Sequence, residues 1–176
     1  KLGDPRNEEN QMGPLIREKV DEFIDELVKD AIKKGAKVLM GGKRNGAYYE
    51  PTLLEISNEK LYELRAFNEE VFGPLTMIVN MDNIDEAIKI ANSSKFGLDA
   101  SIFGENDAKI RKIVRYLEVG SVFINDYPRH GIGYYPFGGM KNSGIGREGI
   151  GYSVDFFTTT KSIVRSYKFK GVWEYL

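Results

Sequence analysis

An α/β fold is what the sequence predicts. Strand-like and helix-like segments alternate from Leu75 onward, an amphipathic helix precedes them, and glycines or polar turn residues punctuate the junctions. Within residues 17–34, Val20, Phe23, Ile24, Leu27, Val28, Ala31 and Ile32 recur at three- and four-residue spacing and so share one helical face. Gly35 supplies the stop, because it enters the left-handed region without a steric cost. Lys37-Val38-Leu39-Met40 and Thr52-Leu53-Leu54-Glu55-Ile56 read as short strands separated by Gly41-Gly42 and a polar stretch. Leu75-Thr76-Met77-Ile78-Val79 is apolar enough to predict a central strand.

Asp82 is placed to cap a helix carrying Ile84, Ala87, Ile88 and Ala91, and Asn106 or Asp107 to cap one carrying Ile110, Ile113, Val114 and Leu117. A strand candidate follows each helix: Ala100-Ser101-Ile102-Phe103 and Ser121-Val122-Phe123-Ile124. This alternation is that of a wound, largely parallel sheet with flanking helices. Residues 125–149 then break into a glycine-rich loop, and long irregular stretches of this kind usually carry function. A short helix is expected near residues 148–157. The mixed polar and apolar tail over residues 158–169 reads as a strand, at a sheet edge or between subunits.

At 176 residues the chain can bury a real core, and 41% hydrophobic with 29% charged residues is the mixture of a globular protein. Its 25 Lys+Arg against 26 Asp+Glu give a net charge of −1, which favours neither nucleic acid nor an anionic membrane as partner. No apolar run approaches the roughly 20 residues of a bilayer span, and Lys1-Leu2-Gly3-Asp4-Pro5 is not a signal peptide, so a cytoplasmic location is expected. The opening on Lys1, already resembling the middle of a domain, points to a fragment of a longer chain. There is no cysteine, which excludes disulfides and thiol nucleophiles within these residues.

Three motifs have plain readings. Gly144-Ile145-Gly146-Arg147-Glu148-Gly149 fits the dinucleotide pattern G-x-G-x-x-G, but Lys141-Asn142-Ser143 before it is no buried strand, so it is read as a structural glycine loop. His130 is the only histidine, which rules out a histidine-rich metal site; it is either a general base or a loop residue without one. Glu69-Glu70, on spacing alone, is a solvated charge pair.

The residues around that pair change its reading. Gly3-Asp4-Pro5, Met12-Gly13-Pro14, Gly35-Ala36, Gly41-Gly42, Pro51-Thr52, Glu69-Glu70-Val71-Phe72-Gly73-Pro74, Ala91-Asn92, Phe96-Gly97-Leu98, Asn125 and Pro136-Phe137-Gly138-Gly139 occur in this order, followed by Ser143-Gly144-Ile145-Gly146-Arg147-Glu148-Gly149 and Thr160-Lys161. The chain thereby resembles the C-terminal part of the NAD(P)-dependent aldehyde dehydrogenase superfamily along nearly its whole length. The loop Pro128-Arg129-His130-Gly131-Ile132-Gly133-Tyr134-Tyr135-Pro136-Phe137 and the ending Gly171-Val172-Trp173-Glu174-Tyr175 look most like archaeal non-phosphorylating glyceraldehyde-3-phosphate dehydrogenases.

The resemblance implies that Glu70 hydrogen-bonds the nicotinamide-side ribose of NAD or NADP and that Phe72 packs beside the nicotinamide. A carboxylate can accept both vicinal hydroxyls, and an aromatic face can shelter a flat ring. It implies that Phe137 lines the aldehyde pocket and that residues 127–135 form the variable substrate mouth, so Arg129 and His130 become candidate substrate contacts. Arg129 suits an anionic group through paired hydrogen bonds, with a surface arginine as the alternative. The family's nucleophilic cysteine and general-base glutamate lie upstream of the matched segment, so no catalytic residue and no metal ligand is expected here.

By the family mechanism the thiolate attacks the aldehyde, hydride passes to NAD(P), and water hydrolyses the thioester. The expected whole is an oxidoreductase converting an aldehyde to a carboxylic acid, foremost glyceraldehyde 3-phosphate to 3-phosphoglycerate. Lactaldehyde or succinate semialdehyde is the alternative substrate, and a non-catalytic assembly module the alternative role. The expected organisation is a C-terminal portion of the catalytic domain over residues 1–157 and an oligomerisation tail over residues 158–176, which would make a homodimer or homotetramer.

Overall fold

A computed structural model describes residues 1–16, 19–129, 135–165 and 167. The chain divides into two compact units that alternate along the sequence: residues 1–95 with 105–118, and residues 96–104 with 119–176.

In the first unit, helix α1 (Val20–Lys33) buries Ile24, Leu27, Val28 and Ala31, the stripe that the spacing predicts. Gly35, at φ 97°, ends it: its N–H donates to Ile32 O and that of Ala36 to Ala31 O, each at 2.9 Å. This paired bonding satisfies carbonyls that the helix end leaves open. Strand β1 (Lys37–Met40) leads into a hairpin of β2 (Arg44–Asn45) and β3 (Tyr48–Tyr49), which the sequence reading did not foresee, and then β4 (Thr52–Glu55). Two single-turn helices, α2 (Asn58–Leu61) and α3 (Arg65–Asn68), precede β5 (Leu75–Ile78).

The sheet order is β1-β4-β5, antiparallel between the first two and parallel between the last two, with Thr52 opposite Leu75 and Glu55 opposite Ile78. The central strand among the described residues is therefore β4 rather than the expected 75–79 segment. Only one face of β5 is covered: Leu75 and Met77 pack on the core while Thr76 and Ile78 are exposed, whereas β4 buries Thr52 and Leu54. Helices α4 (Ile84–Ser93) and α5 (Asp107–Tyr116) touch each other, with Lys112 Nζ 2.6 Å from Asp85 Oδ1. The cap of α4 is Asn83 rather than Asp82. Its side-chain oxygen accepts from Asp85 N at 2.9 Å, two residues on, one of the two amides a cap can reach. Asn106 caps α5 through Lys109 N at 3.0 Å.

In the second unit, β6 (Phe96–Gly97) pairs antiparallel with β9 (Met140–Lys141), and β7 (Asp99–Ile102) pairs in parallel with β8 (Ser121–Ile124). Helix α6 (Tyr152–Phe157), the last helix among the described residues, has no buried residue. Among the described residues, 158–165 carry no strand pairing.

Candidate functional site

The segment Glu70-Val71-Phe72-Gly73-Pro74 joins α3 to β5, and each end is fixed. At its exit, Thr52 N donates to Pro74 O at 2.7 Å, locking it to β4. At its entrance, α3 is tied down by side chains: Arg65 N donates to Asp30 Oδ2 at 3.0 Å, and Asn68 Nδ2 donates to Tyr62 O at 2.9 Å and Leu64 O at 2.8 Å. Between them Val71 packs on the core cluster of Ile24, Leu27, Val28, Tyr49 and Ala66. Val71 turned inward leaves its neighbours Glu70 and Phe72 outward, by the alternation of extended chain.

The two adjacent carboxylates thus separate in role. Glu69 is gripped by the Arg65 guanidinium, Nε to Oε1 at 2.6 Å and Nη2 to Oε2 at 3.2 Å, and this bonding holds its carboxyl below the ordinary glutamate value. Burial would raise the Asp30 carboxyl, but hydrogen bonds from Lys34 and from Arg65 N outweigh it and hold that group low as well. Glu70 is exposed and takes no hydrogen bond or ion pair among the described residues, while the Phe72 ring is 70% exposed. An open carboxylate two residues from an open aromatic face fits a ribose diol and an attached planar ring.

The second unit holds the substrate candidates. Asn125, at φ 54°, joins its side chain to both backbone groups of Gly104, Oδ1 accepting at 2.8 Å and Nδ2 donating at 2.9 Å, and so fixes the start of the loop. Arg129 Nη2 lies 2.6 Å from Asp126 Oδ2, with its guanidinium 5.9 Å from the Tyr127 ring centre. The Tyr135 hydroxyl donates to Arg129 O, and its ring meets Phe123 edge-on at 6.4 Å. His130 and residues 131–134 lie outside the described residues. Phe137 exchanges backbone bonds with Glu148, 3.0 Å and 2.7 Å, and lines a cavity of about 460 Å³ with Leu98, Ser143, Arg147, Phe156 and Phe157.

The glycines after Phe137 are needed for close approach. A Cβ on Gly138 would stand 2.5 Å from Gly146 O, and one on Gly139 would stand 2.4 Å from the Ser143 Cβ. Arg147 Nη1 bridges Gly139 O and Gly146 O, each at 2.8 Å, so the second glycine loop is a structural partner of the first.

Residues 1–163 match the aldehyde dehydrogenase family. The chain belongs to that family. A 3-sulfolactaldehyde dehydrogenase of Priestia aryabhattai is 39% identical over 163 residues, 93% of this chain and 34% of the relative. The glyceraldehyde-3-phosphate dehydrogenase GapN of Methanocaldococcus jannaschii, solved with NADP, is 38% identical with a TM-score of 0.80 over 88% of this chain and 33% of its own. Aldehyde dehydrogenase 21 of Physcomitrella patens, solved with its reaction product succinate, is 39% identical with a TM-score of 0.81 over 88% of this chain and 32% of its own. The aldehyde dehydrogenase chain thus spans about a third of the length of these relatives.

Glu70 and Phe72 lie together on one fixed turn, and Phe137 faces a cavity. Arg129 is placed with a counter-ion, Asp126, that the sequence reading missed, although the three-residue spacing within one loop was its visible signal. The grip of Arg65 on Glu69 was also missed, although four-residue spacing makes such a pair legible. Among the described residues no group of three His, Cys, Asp or Glu could hold a metal, and no helix is long and apolar enough to cross a membrane.

Proposed function

We propose that this chain forms part of an NAD(P)-dependent aldehyde dehydrogenase that oxidises a small aldehyde carrying an anionic group, foremost glyceraldehyde 3-phosphate to 3-phosphoglycerate. The observation that carries the reading is the pairing of the uncommitted Glu70 carboxylate with the exposed Phe72 ring on a turn fixed at both ends. NAD or NADP supplies the hydride acceptor. Glu70 accepts from the hydroxyls of its nicotinamide ribose, Phe72 shelters the ring, and Phe137 forms one wall of the aldehyde pocket. His130 and Arg129 belong to the pocket mouth.

An anionic substrate is supported by Arg129 and by the company the chain keeps. The relatives named above act on 3-sulfolactaldehyde and glyceraldehyde 3-phosphate or release succinate, all anion-bearing. Asp126 favours a second reading, a small neutral aldehyde such as lactaldehyde, because it already neutralises Arg129. Lactaldehyde dehydrogenases of Methanococcus maripaludis are 37% identical over 163 residues. Homo-oligomerisation through the tail rests on residues 158–165, which have no strand partner among the described residues and expose Ile163 and Val164. The test is a panel of glyceraldehyde 3-phosphate, glyceraldehyde, lactaldehyde and succinate semialdehyde assayed with both cofactors on the complete enzyme that contains this chain. Arg129→Gln is expected to lower kcat/KM for the phosphorylated substrate and spare glyceraldehyde; equal efficiency with and without the phosphate removes the anionic reading.

A further inference from the structure

A one-turn helix such as α3 has little stability of its own, so the direction of the turn it feeds must come from tertiary ties. Those ties converge on Arg65. Helix α1 presents Phe23, Glu26 and Asp30 along one face, at spacings of three and four. The Phe23 ring centre lies 6.0 Å from the Arg65 guanidinium carbon, Glu26 Oε2 lies 3.4 Å from Nη1, and Asp30 accepts the Arg65 backbone N–H at 3.0 Å. The remaining guanidinium edge forks onto Glu69. Arg65 therefore links α1 to the residue immediately before Glu70.

The backbone at Glu69 is extended, with φ −105° and ψ 151°. Successive side chains of extended chain point to opposite sides. With Glu69 drawn back onto Arg65, Glu70 is turned the other way, outward and without a partner among the described residues. Two neighbouring carboxylates could otherwise exchange places at the guanidinium, and a forked arginine pair discourages that exchange because both of its hydrogen bonds would break together.

We propose that Arg65 is a positioning residue: anchored on α1 and gripping Glu69, it fixes the direction in which Glu70 meets the nicotinamide ribose. The inference rests on the Glu70 assignment made above. Lysine at this position keeps the charge but cannot fork, so Arg65→Lys restores only part of the effect of Arg65→Gln.

The experiment measures the dissociation constants of nicotinamide mononucleotide and of adenosine monophosphate by calorimetry for the protein as it occurs and for Arg65→Gln, Arg65→Lys, Glu69→Gln and Glu70→Gln. Amide exchange at Val71 and Phe72 is followed in parallel. Arg65→Gln and Glu69→Gln are expected to weaken the mononucleotide about tenfold, Arg65→Lys less. Exchange at Val71 and Phe72 is expected to rise while adenosine monophosphate binding stays unchanged. If Glu70→Gln leaves mononucleotide binding unaltered, the Glu70 assignment fails and the inference with it. If Glu70→Gln weakens binding but Arg65→Gln does not, the positioning role alone is overturned. Equal weakening of both ligands by Arg65→Gln and Arg65→Lys marks a general structural role and also overturns it.

Discussion

Gly73→Ala probes whether the turn that carries Glu70 and Phe72 is seated directly on the core. The backbone at Gly73 is not in the left-handed region, so the effect should come from contact alone. An added Cβ would stand 2.6 Å from Ile24 Cδ1 and 2.8 Å from Ile24 Cγ1. Carbon atoms rest at about 3.5–4.0 Å, so roughly 1 Å of room must be made. Ile24 is fully buried among Leu27, Val28, Tyr49 and Ala66, which leaves its side chain little space to retreat.

Overpacking of this kind costs about 1–3 kcal/mol. In a protein of 150–250 residues that corresponds to about 2–4 °C in Tm per kcal/mol. Ile24→Val removes Cδ1, the nearer clashing atom, and alone should cost about 0.5–1.5 kcal/mol. Urea unfolding of the two single variants and the double variant measures the coupling. If the clash is the cause, the double variant is less destabilised than the sum of the singles by about 0.5 kcal/mol or more. Relief is partial because Cγ1 remains. Additivity, or a Gly73→Ala variant as stable as the parent, refutes the contact between turn and core.

Three further outcomes follow from the same structure. Burial, then the nearby Asp25 carboxylate, pushes the Tyr49 hydroxyl up to about 12 from an ordinary 10.0. Its contribution is therefore complete below pH 10.0 and lost as pH rises toward about 12, and denaturant titrations should show the protein losing stability over that window relative to Tyr49→Phe. Glu69 behaves oppositely: its carboxyl is held low by Arg65, so its contribution is present above the ordinary glutamate value of 4.5 and lost as pH falls through the lowered one. Glu69→Gln should flatten that acid limb, and an unchanged limb contradicts the pairing. Deleting residues 158–176 removes a segment in which Ile163, Val164 and Tyr167 are 83%, 95% and 90% exposed, and should shift the assembly to smaller species in light scattering. An unaltered mass rejects the tail as an oligomer contact.

The sequence was most legible where one periodicity dominates. Ile24, Leu27, Val28 and Ala31 of the predicted stripe form the buried face of α1 because a helix repeats its contacts every turn, while Ile32 at its end is exposed, and 37–40 and 121–124 matched β1 and β8 residue for residue. Sheet order was not legible. The apolar run at 75–79 resembled a central strand, yet the strand's neighbours are set by β1 and β4 rather than by its own composition. The β2–β3 hairpin escaped because strands of two residues have no measurable period.

At the candidate site, motif order singled out Glu70, Phe72 and Phe137, and the structure gives the adjacent Glu69 a different part, paired with Arg65 at a four-residue spacing that was legible in the sequence. The Asp126 counter-ion of Arg129 stands three residues away in an irregular loop, where no helical or strand period shows which side chains meet.

In the function proposed above, these residues orient cofactor and aldehyde while the attacking thiolate comes from outside them. There is no cysteine here, and a serine or threonine hydroxyl would need a positioned base, for which His130 is the lone histidine candidate. The most direct measurement is NAD(P)H formation by the purified 176-residue chain with glyceraldehyde 3-phosphate, lactaldehyde and succinate semialdehyde, under each cofactor in turn. Progress curves indistinguishable from the enzyme-free blank are expected for every pair. Sustained turnover by the chain alone, with any of these aldehydes, would contradict that function.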